Sequence, residues 1–381
     1  MKIYQEAHSM KIAENAERTV GMPERKRLFL VDAVVNRSTQ LAHALAPLYE
    51  VSTFKDGGAT LDSMHKSPPD LVLIDEQTMT KYGQGIHKTK VRDDRLKHIP
   101  FIIMSNATEG ELVFGDGDGA KDRFLKRPLH FKSLLEHISF SLSHAVELSW
   151  KALPKTASKS LVSTVTQFKS ITQAVANGGT PDLKETNAAC QPLVECIQAD
   201  EFNDMLEGLR DHHNYTYVHS LRVATYLTLF GKAVGMGDTE LLLLSSGGML
   251  HDVGKITMPQ TLLNKPGKLD DQEWTVMRDH VVQSNDIIVA MPDSNPVIRI
   301  IAEQHHEKLD GTGYPHGLKD GELNELARMA TIVDIFGALT DKRSYKPAFS
   351  LDKSFAILQD MGGGLDQRLV TKFREVVTDT A

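Results

Sequence analysis

The chain has 381 residues and a formal net charge of −7, which allows two or three domains and argues against general nucleic-acid binding. Its two cysteines, Cys190 and Cys196, fit neither a zinc motif nor a disulfide framework, in keeping with a reducing compartment. No apolar run approaches the ~18 residues of a membrane span and no signal-peptide core opens the chain, so a cytoplasmic protein without membrane insertion is expected.

Residues 1–25 are polar and unpatterned and read as an N-terminal extension. From Arg27 five short apolar runs alternate with helical stretches. The expected strands are Leu28–Asp32, Tyr49–Phe54, Asp70–Asp75, Ile99–Met104 and Asp122–Lys126. Such alternation implies an α/β, doubly wound parallel sheet with helices on both faces, and functional groups collect at the carboxyl ends of its strands. That end carries Asp32, Asp75 and Ser105, with Lys126-Arg127-Pro128 after the last strand.

This pattern resembles a response-regulator receiver domain over residues 26–145. The resemblance implies that Asp75, in "DLVLID", is the phospho-acceptor, that Ser105 is the hydroxyl residue after the fourth strand, and that a sensor histidine kinase or other signalling protein is a partner. Two positions depart from the family. Asp32 is followed by Ala33 where a second acidic residue would help to hold Mg²⁺, which weakens a hard-cation site. Arg127 stands where the family has Lys before Pro, and the two are not equivalent. A degenerate receiver that only dimerises or docks is the alternative reading.

Residues 146–185 read as a helical connector. The pattern His130–Leu153 has apolar residues near helical spacing, Pro154 breaks it, and a second helix near Leu161–Ala176 ends at Asn177-Gly178-Gly179. Connectors of this kind carry signals, pack a homodimer or act as spacers; a homodimer is expected.

Residues 186–381 read as an all-α domain. Helices are expected near Leu183–Ile197, Glu201–Leu209, Tyr217–Val234, Asp238–His251, Gln272–Met291, Asn295–His305 and Leu326–Thr340. This region holds the chain's densest chemistry: His219, His251-Asp252, His280, His305-His306 and Asp334, separated by 25 to 32 residues. A helical domain can bring such residues to one inner surface. Imidazole nitrogens with carboxylate oxygens suit Fe, Mn, Ni or Zn better than Ca or Mg. Lys255 follows His251 by four residues, where one helical turn would bring its ammonium to the same side.

The runs "HDVGK" and "HHEKLDGTGYP", with "LLNKPGKL" between them and "DIFGALTDKRSYK" after them, resemble the signatures of HD-GYP domains, a branch of the HD phosphohydrolases, over residues 186–350. The resemblance implies a helical domain with a two- or three-metal centre, usually Fe or Mn, that hydrolyses cyclic di-GMP to the linear dinucleotide pGpG or to GMP. The metal ligands implied are His219, His251, Asp252, His280, His305, His306 and Asp334; the two oxygens of Asp252 would allow it to bridge two metals. Lys255 would contact the scissile phosphate; Gly313, Tyr314 and Pro315 would form a loop beside the substrate; Arg343 and Lys346 would bind its phosphates and guanine. Tyr215 stands where some members carry a third-metal Glu, which favours two metals. Gly337 stands where the family usually has Asp, three residues after Asp334, and Ser344 replaces a Pro. Gly337 keeps a non-enzymatic rival open, a domain that binds the messenger or a protein and turns over little. The same chemistry on another cyclic dinucleotide is a second rival.

Overall fold

The computed structural model describes residues 25–82, 84–106, 122–263, 265, 268–341 and 348–379. They form two compact units, one of residues 25–149 with Asp211–Asn214, the other of Trp150–Arg210 with residues 215–379.

The first unit is a five-stranded sheet. In chain order it comprises β1 (Arg27–Val31), α1 (Val35–Leu45), β2 (Glu50–Phe54), α2 (Gly57–Lys66), β3 (Leu71–Asp75), α3 (Glu76–Tyr82), α4 (Gln84–Arg92), β4 (Phe101–Ser105), β5 (Arg123–Lys126) and α5 (Phe131–Ser149). All strand pairs are parallel and the order is β2-β1-β3-β4-β5. That is a doubly wound order, with its switch point between β1 and β3. All five residues of β3 and of β4 are buried, as expected of strands covered on both faces. Leu28, Leu30, Leu71, Leu73, Ile102 and Met104 pack on one face with Leu134 and Ile138 of α5. Phe29, Val31, Val72, Ile74, Phe101 and Ile103 pack on the other with Met64, Met79 and Ile86. Each strand thus feeds two cores through its two-residue side-chain period.

The second unit is helical. Among the described residues its helices of eight residues or more are α6 (Lys155–Ala176), α7 (Leu183–Gln198), α8 (Phe202–Leu209), α9 (Tyr215–Ala233), α10 (Asp238–Leu250), α11 (Asp271–Ala290), α12 (Pro296–Gln304), α13 (Glu325–Thr340), α14 (Leu351–Asp360) and α15 (Gln367–Asp379). The stretch expected as a connector is divided: α5 lies in the first unit, and α6 packs on α7 in the second, where Gln167 Nε2 donates to Thr186 Oγ1 at 3.1 Å. The turn of Trp150–Ala152 is tied down by the indole N–H of Trp150, which donates to the Gly208 carbonyl at 2.8 Å. α14 and α15 lie beyond the last helix read from the sequence.

An apolar cluster of Leu250, Val253, Ile288, Ile298 and Ala302, extended by Ile171 and Leu183, includes the residues on either side of the His251-Asp252 pair and the Ala302 whose carbonyl accepts from His305. A short 3₁₀ turn, Val253–Thr257, follows that pair. A Cβ on Gly254 would lie 2.2 Å from the His280 carbonyl oxygen. Glycine therefore lets this turn lie directly on α11, and the Gly254 N–H donates to Ser284 Oγ at 2.8 Å. No helix of the described residues is long and apolar enough to cross a membrane.

Candidate metal centre

The seven ligand candidates come together from five helices. His219 lies in the first half of α9, His280 midway along α11 and Asp334 within α13; His251 caps α10, with Asp252 next to it, and His305-His306 follow α12. All seven side chains are buried. They form two triads, His219–His251–Asp252 and His280–His305–His306, each offering ligand atoms within 4.8 Å of one another. The two carboxylates join the triads. Asp252 Oδ2 lies 3.7 Å from His219 Nε2 and Oδ1 lies 3.2 Å from His280 Nε2. Asp334 Oδ1 lies 3.0 Å from His219 Nε2 and Oδ2 lies 3.5 Å from His306 Nδ1.

Three imidazoles are set in the same way. Nδ1–H of His251, His280 and His305 donates to the carbonyl three residues back, of Gly248, Met277 and Ala302, at 2.7, 2.5 and 2.9 Å. This fixes the proton on Nδ1 and turns the Nε2 lone pair inward. Among the described residues those three Nε2 atoms and Asp252 Oδ1 have no hydrogen-bond partner. With a neutral imidazole at each of these positions, buried acceptors facing one another without donors are costly unless a cation lies between them. This donor set of neutral imidazole nitrogens and carboxylate oxygens fits a divalent transition metal.

For His219, His251, His305, His306, Asp252 and Asp334 burial opposes charge, and their neighbours decide the outcome. For His219 the carboxylates of Asp334 and Asp341 outweigh burial and raise the pKa. For His251 Asp252 and Asp334 do the same, pushing it up to about 9. Burial and the His251 charge hold His305 down to about 3, and burial with His305 holds His306 well below the usual range. Against burial, Lys255 and His251 keep Asp252 well below the usual carboxylate range, and His219 and His251 do so for Asp334. The ionised carboxylates therefore call for positive charge, and a bound metal would compete with imidazole protons for that place.

Lys255 reaches back to pair with Asp252 Oδ2 and stays partly exposed at the lip of the cluster. Tyr314 packs its ring 4.7 Å from that of His306, and its N–H donates to the His306 carbonyl. The loop of Gly313, Tyr314 and Pro315 thus borders the centre. Arg343 and Lys346 lie outside the described residues. Tyr215 stacks on the His219 ring at 5.9 Å with nearly parallel planes.

Four residues that pack on these candidate positions were not assigned from the sequence. Glu307, inside the "HHEKLDGTGYP" run, is fully buried and anchors the loop. Arg278 places its guanidinium 5.3 Å from the Tyr314 ring centre; its place two residues before His280 was its only signal. Asp341 meets His219, and its signal was a carboxylate one helical turn beyond Gly337. Arg37, a basic residue on the helix after β1, fills the acidic pocket of the sheet.

In that pocket Arg37 forks onto Asp32, with Nε–Oδ2 at 2.5 Å and Nη2–Oδ1 at 2.8 Å, and its Nη2 also meets Asp75 Oδ1 at 2.8 Å. Arg127 Nη2 meets the same Asp75 oxygen at 2.9 Å. Two guanidinium groups so balance two carboxylates where the sequence left a depleted Mg²⁺ site. Ser105 Oγ donates to Glu76 Oε2 at 2.5 Å.

Residues 204–369 match the model of the HD domain family. A 3′3′-cGAMP-specific phosphodiesterase of Vibrio cholerae is 38% identical over 146 residues, which is 38% of this chain and 32% of that protein. A cyclic di-GMP phosphodiesterase of Pseudomonas aeruginosa is 30% identical over 172 residues, 45% of this chain and 42% of that protein. A cyclic di-GMP phosphodiesterase response regulator of Xanthomonas campestris is 25% identical over 350 residues, 90% of this chain and 85% of that protein. The chain thus spans about a third of the length of the first of these relatives and less than half of the second.

Proposed function

We propose, from the premise that residues 204–369 are an HD domain, that this chain is a metal-dependent phosphodiesterase that hydrolyses cyclic di-GMP to pGpG or GMP. The observation that carries the reading is the pair of buried triads joined by Asp252 and Asp334, with inward-facing lone pairs that lack donors. His219, His251, Asp252, His280, His305, His306 and Asp334 would hold two ions, Fe or Mn by preference, with Ni or Zn also suited to the donors. When bound there, two such ions would supply polarisation of a phosphoryl group and a hydrolytic nucleophile near neutral pH.

The protein's own groups supply the rest. The helix-end carbonyls of Gly248, Met277 and Ala302 hold three imidazoles in register. Lys255, at the lip, would meet phosphoryl oxygens whose charge grows during attack. Arg343 and Lys346 would capture the outer phosphate and the guanine, supplying the local positive charge that an acidic chain needs for an anionic ligand. Tyr314, packed on His306, and Arg278, packed on Tyr314, would flank the substrate.

Hydrolysis of 3′3′-cGAMP by the same centre is the second reading, favoured by the 38% identity to a phosphodiesterase specific for that dinucleotide. The α/β unit is assigned as a receiver-like module whose arginine-filled pocket suits docking or homodimerisation better than phosphotransfer from a sensor kinase. The deciding experiment incubates the metal-loaded chain with each dinucleotide and separates the products. Faster turnover of 3′3′-cGAMP selects the second reading. No hydrolysis of either by a fully metal-loaded chain removes the enzymatic reading and leaves the binding-module rival.

A further inference from the structure

His219 is the exception among the helix-borne imidazoles of the centre. His251, His280 and His305 each anchor Nδ1 on a backbone carbonyl of their own helix. His219 Nδ1 pairs instead with a side chain from another helix, Asp341 Oδ2, at 3.0 Å. Asp341 is 3% exposed and caps the C-terminus of α13, with its own N–H donating to the Gly337 carbonyl.

Stability alone does not favour a carboxylate there. Burial of a charge is costly, and the C-terminus of a helix carries the negative end of its dipole. Arg222, three residues after His219 on α9, offsets the charge: its Nε lies 3.2 Å from Asp341 Oδ1. The remaining oxygen, Oδ2, is the one that meets the imidazole.

Gly337 lies one turn before Asp341 on the same helix and faces the same ring. A Cβ at Gly337 would sit 3.5 Å from His219 Cε1 and 3.6 Å from Nδ1, ordinary contact distances. Two positions of α13 therefore border the outer edge of His219. One is bare, and the other supplies a carboxylate.

We infer that Asp341 is a positioning residue of the metal centre: it accepts the Nδ1–H of His219 from one helical turn beyond Gly337, and so directs Nε2 at Asp252 and Asp334. The inference rests on reading the seven-residue cluster as a metal site, and it is independent of which dinucleotide, if any, is hydrolysed. Carboxylate partners of this kind orient ligating imidazoles, and their loss typically costs about 10–100-fold in metal affinity.

The test uses the full chain stripped of metal and titrated with Mn²⁺, with free Mn²⁺ read by electron paramagnetic resonance and the melting temperature measured with and without the ion. Asp341→Ala is expected to weaken Mn²⁺ binding about 10–100-fold and to shrink the stabilisation that the ion confers. Adding Gly337→Asp to that variant should recover part of both, because the new carboxylate borders the same ring. If Asp341→Ala does not fold, Asp341→Asn decides: it keeps an acceptor oxygen without the charge and should show a smaller weakening in the same direction. Mn²⁺ affinity within about twofold of wild type in the folded variant, or a melting temperature that falls equally with and without the ion, would overturn the assignment. Failure of wild type to bind Mn²⁺ would remove the metal reading itself, and failure to hydrolyse a dinucleotide would leave the present measurement intact.

Discussion

The Glu307 carboxylate accepts the backbone N–H of His316 at 2.6 Å. Its two oxygens also accept those of Gly317 and Leu318, so one buried side chain gathers the far end of the loop that begins at Gly311. The near end is fixed by close approach: a Cβ on Gly313 would lie 2.5 Å from Glu307 Cα. The loop therefore folds onto the backbone that follows His305-His306 and holds Tyr314 against the centre.

Glu307→Ala is expected to destabilise the helical unit by about 2–4 kcal/mol, since three N–H groups lose their acceptor. Chemical denaturation measures this. In the variants that fold, Glu307→Ala and Gly313→Ala should raise KM for the dinucleotide more than they lower kcat, because the loop is displaced and the ligands are not. An unchanged KM in both would show that the loop does not border bound substrate.

Lys255 and the Arg343, Lys346 pair should separate in steady-state kinetics. Lys255→Ala, at the lip of the ligand cluster, is expected to lower kcat by about 10²–10³, the usual cost of losing a donor aimed at developing charge. Arg343→Ala and Lys346→Ala should raise KM with kcat little changed, as uniform binding requires. Each variant is checked for full metal content. A near-normal kcat in Lys255→Ala would contradict its role.

Elemental analysis of the wild-type chain should find about two transition-metal ions per chain. Asp252 faces both triads, so Asp252→Ala should lose most of both ions. His306→Ala should lose chiefly the ion of its own triad. Retention of both ions in the doubly substituted chain would remove the centre as assigned.

The Arg37 fork predicts that Asp75 is a poor phospho-acceptor. With a small phosphodonor and Mg²⁺, intact mass should show little phosphorylation of the wild-type chain. The double substitution Ala33→Asp and Arg37→Ala rebuilds a cation site and should increase it, in a manner lost with Asp75→Asn. Arg37→Ala alone is expected to cost about 1–3 kcal/mol of stability, because buried carboxylates lose a charged partner. Rapid stoichiometric phosphorylation of the wild type would show that Arg37 yields its place.

His213 should make the α/β unit acid-sensitive. Burial, then the charges of Lys26 and His212, lower its pKa from 6.5 to about 4, and its Nε2 has no hydrogen-bond partner among the described residues. Between those values the unfolded chain binds the extra proton, so the contribution to stability is fully present above pH 6.5 and is lost as pH falls through about 4. The slope is at most about 1.4 kcal/mol per pH unit for one proton. Urea titrations of wild type and His213→Asn across this range should show a flatter profile in the variant; parallel profiles would exclude His213.

The classes of both units and the identities of the seven ligand candidates were legible from residue order alone. Strand and helix periods are local, and they survive folding because each element buries the face its own pattern defines. The candidate set was legible for a related reason: His, Asp and the close-packed Gly254 are tied to "HDVGK" and its companions by chemistry that few other residues can supply. What only the tertiary structure decided were pairings between side chains far apart in the chain. Asp341 meets His219 across 122 positions, and Arg37 meets Asp75 across 38. Neither follows from any period or spacing, because a charged residue on a helix reads the same whether it faces solvent or a buried partner. At Gly337 and Ala33 the sequence showed a missing carboxylate; packing showed that in the helical unit another carboxylate reaches the outer edge of the buried ring, and in the sheet two guanidinium groups fill the pocket.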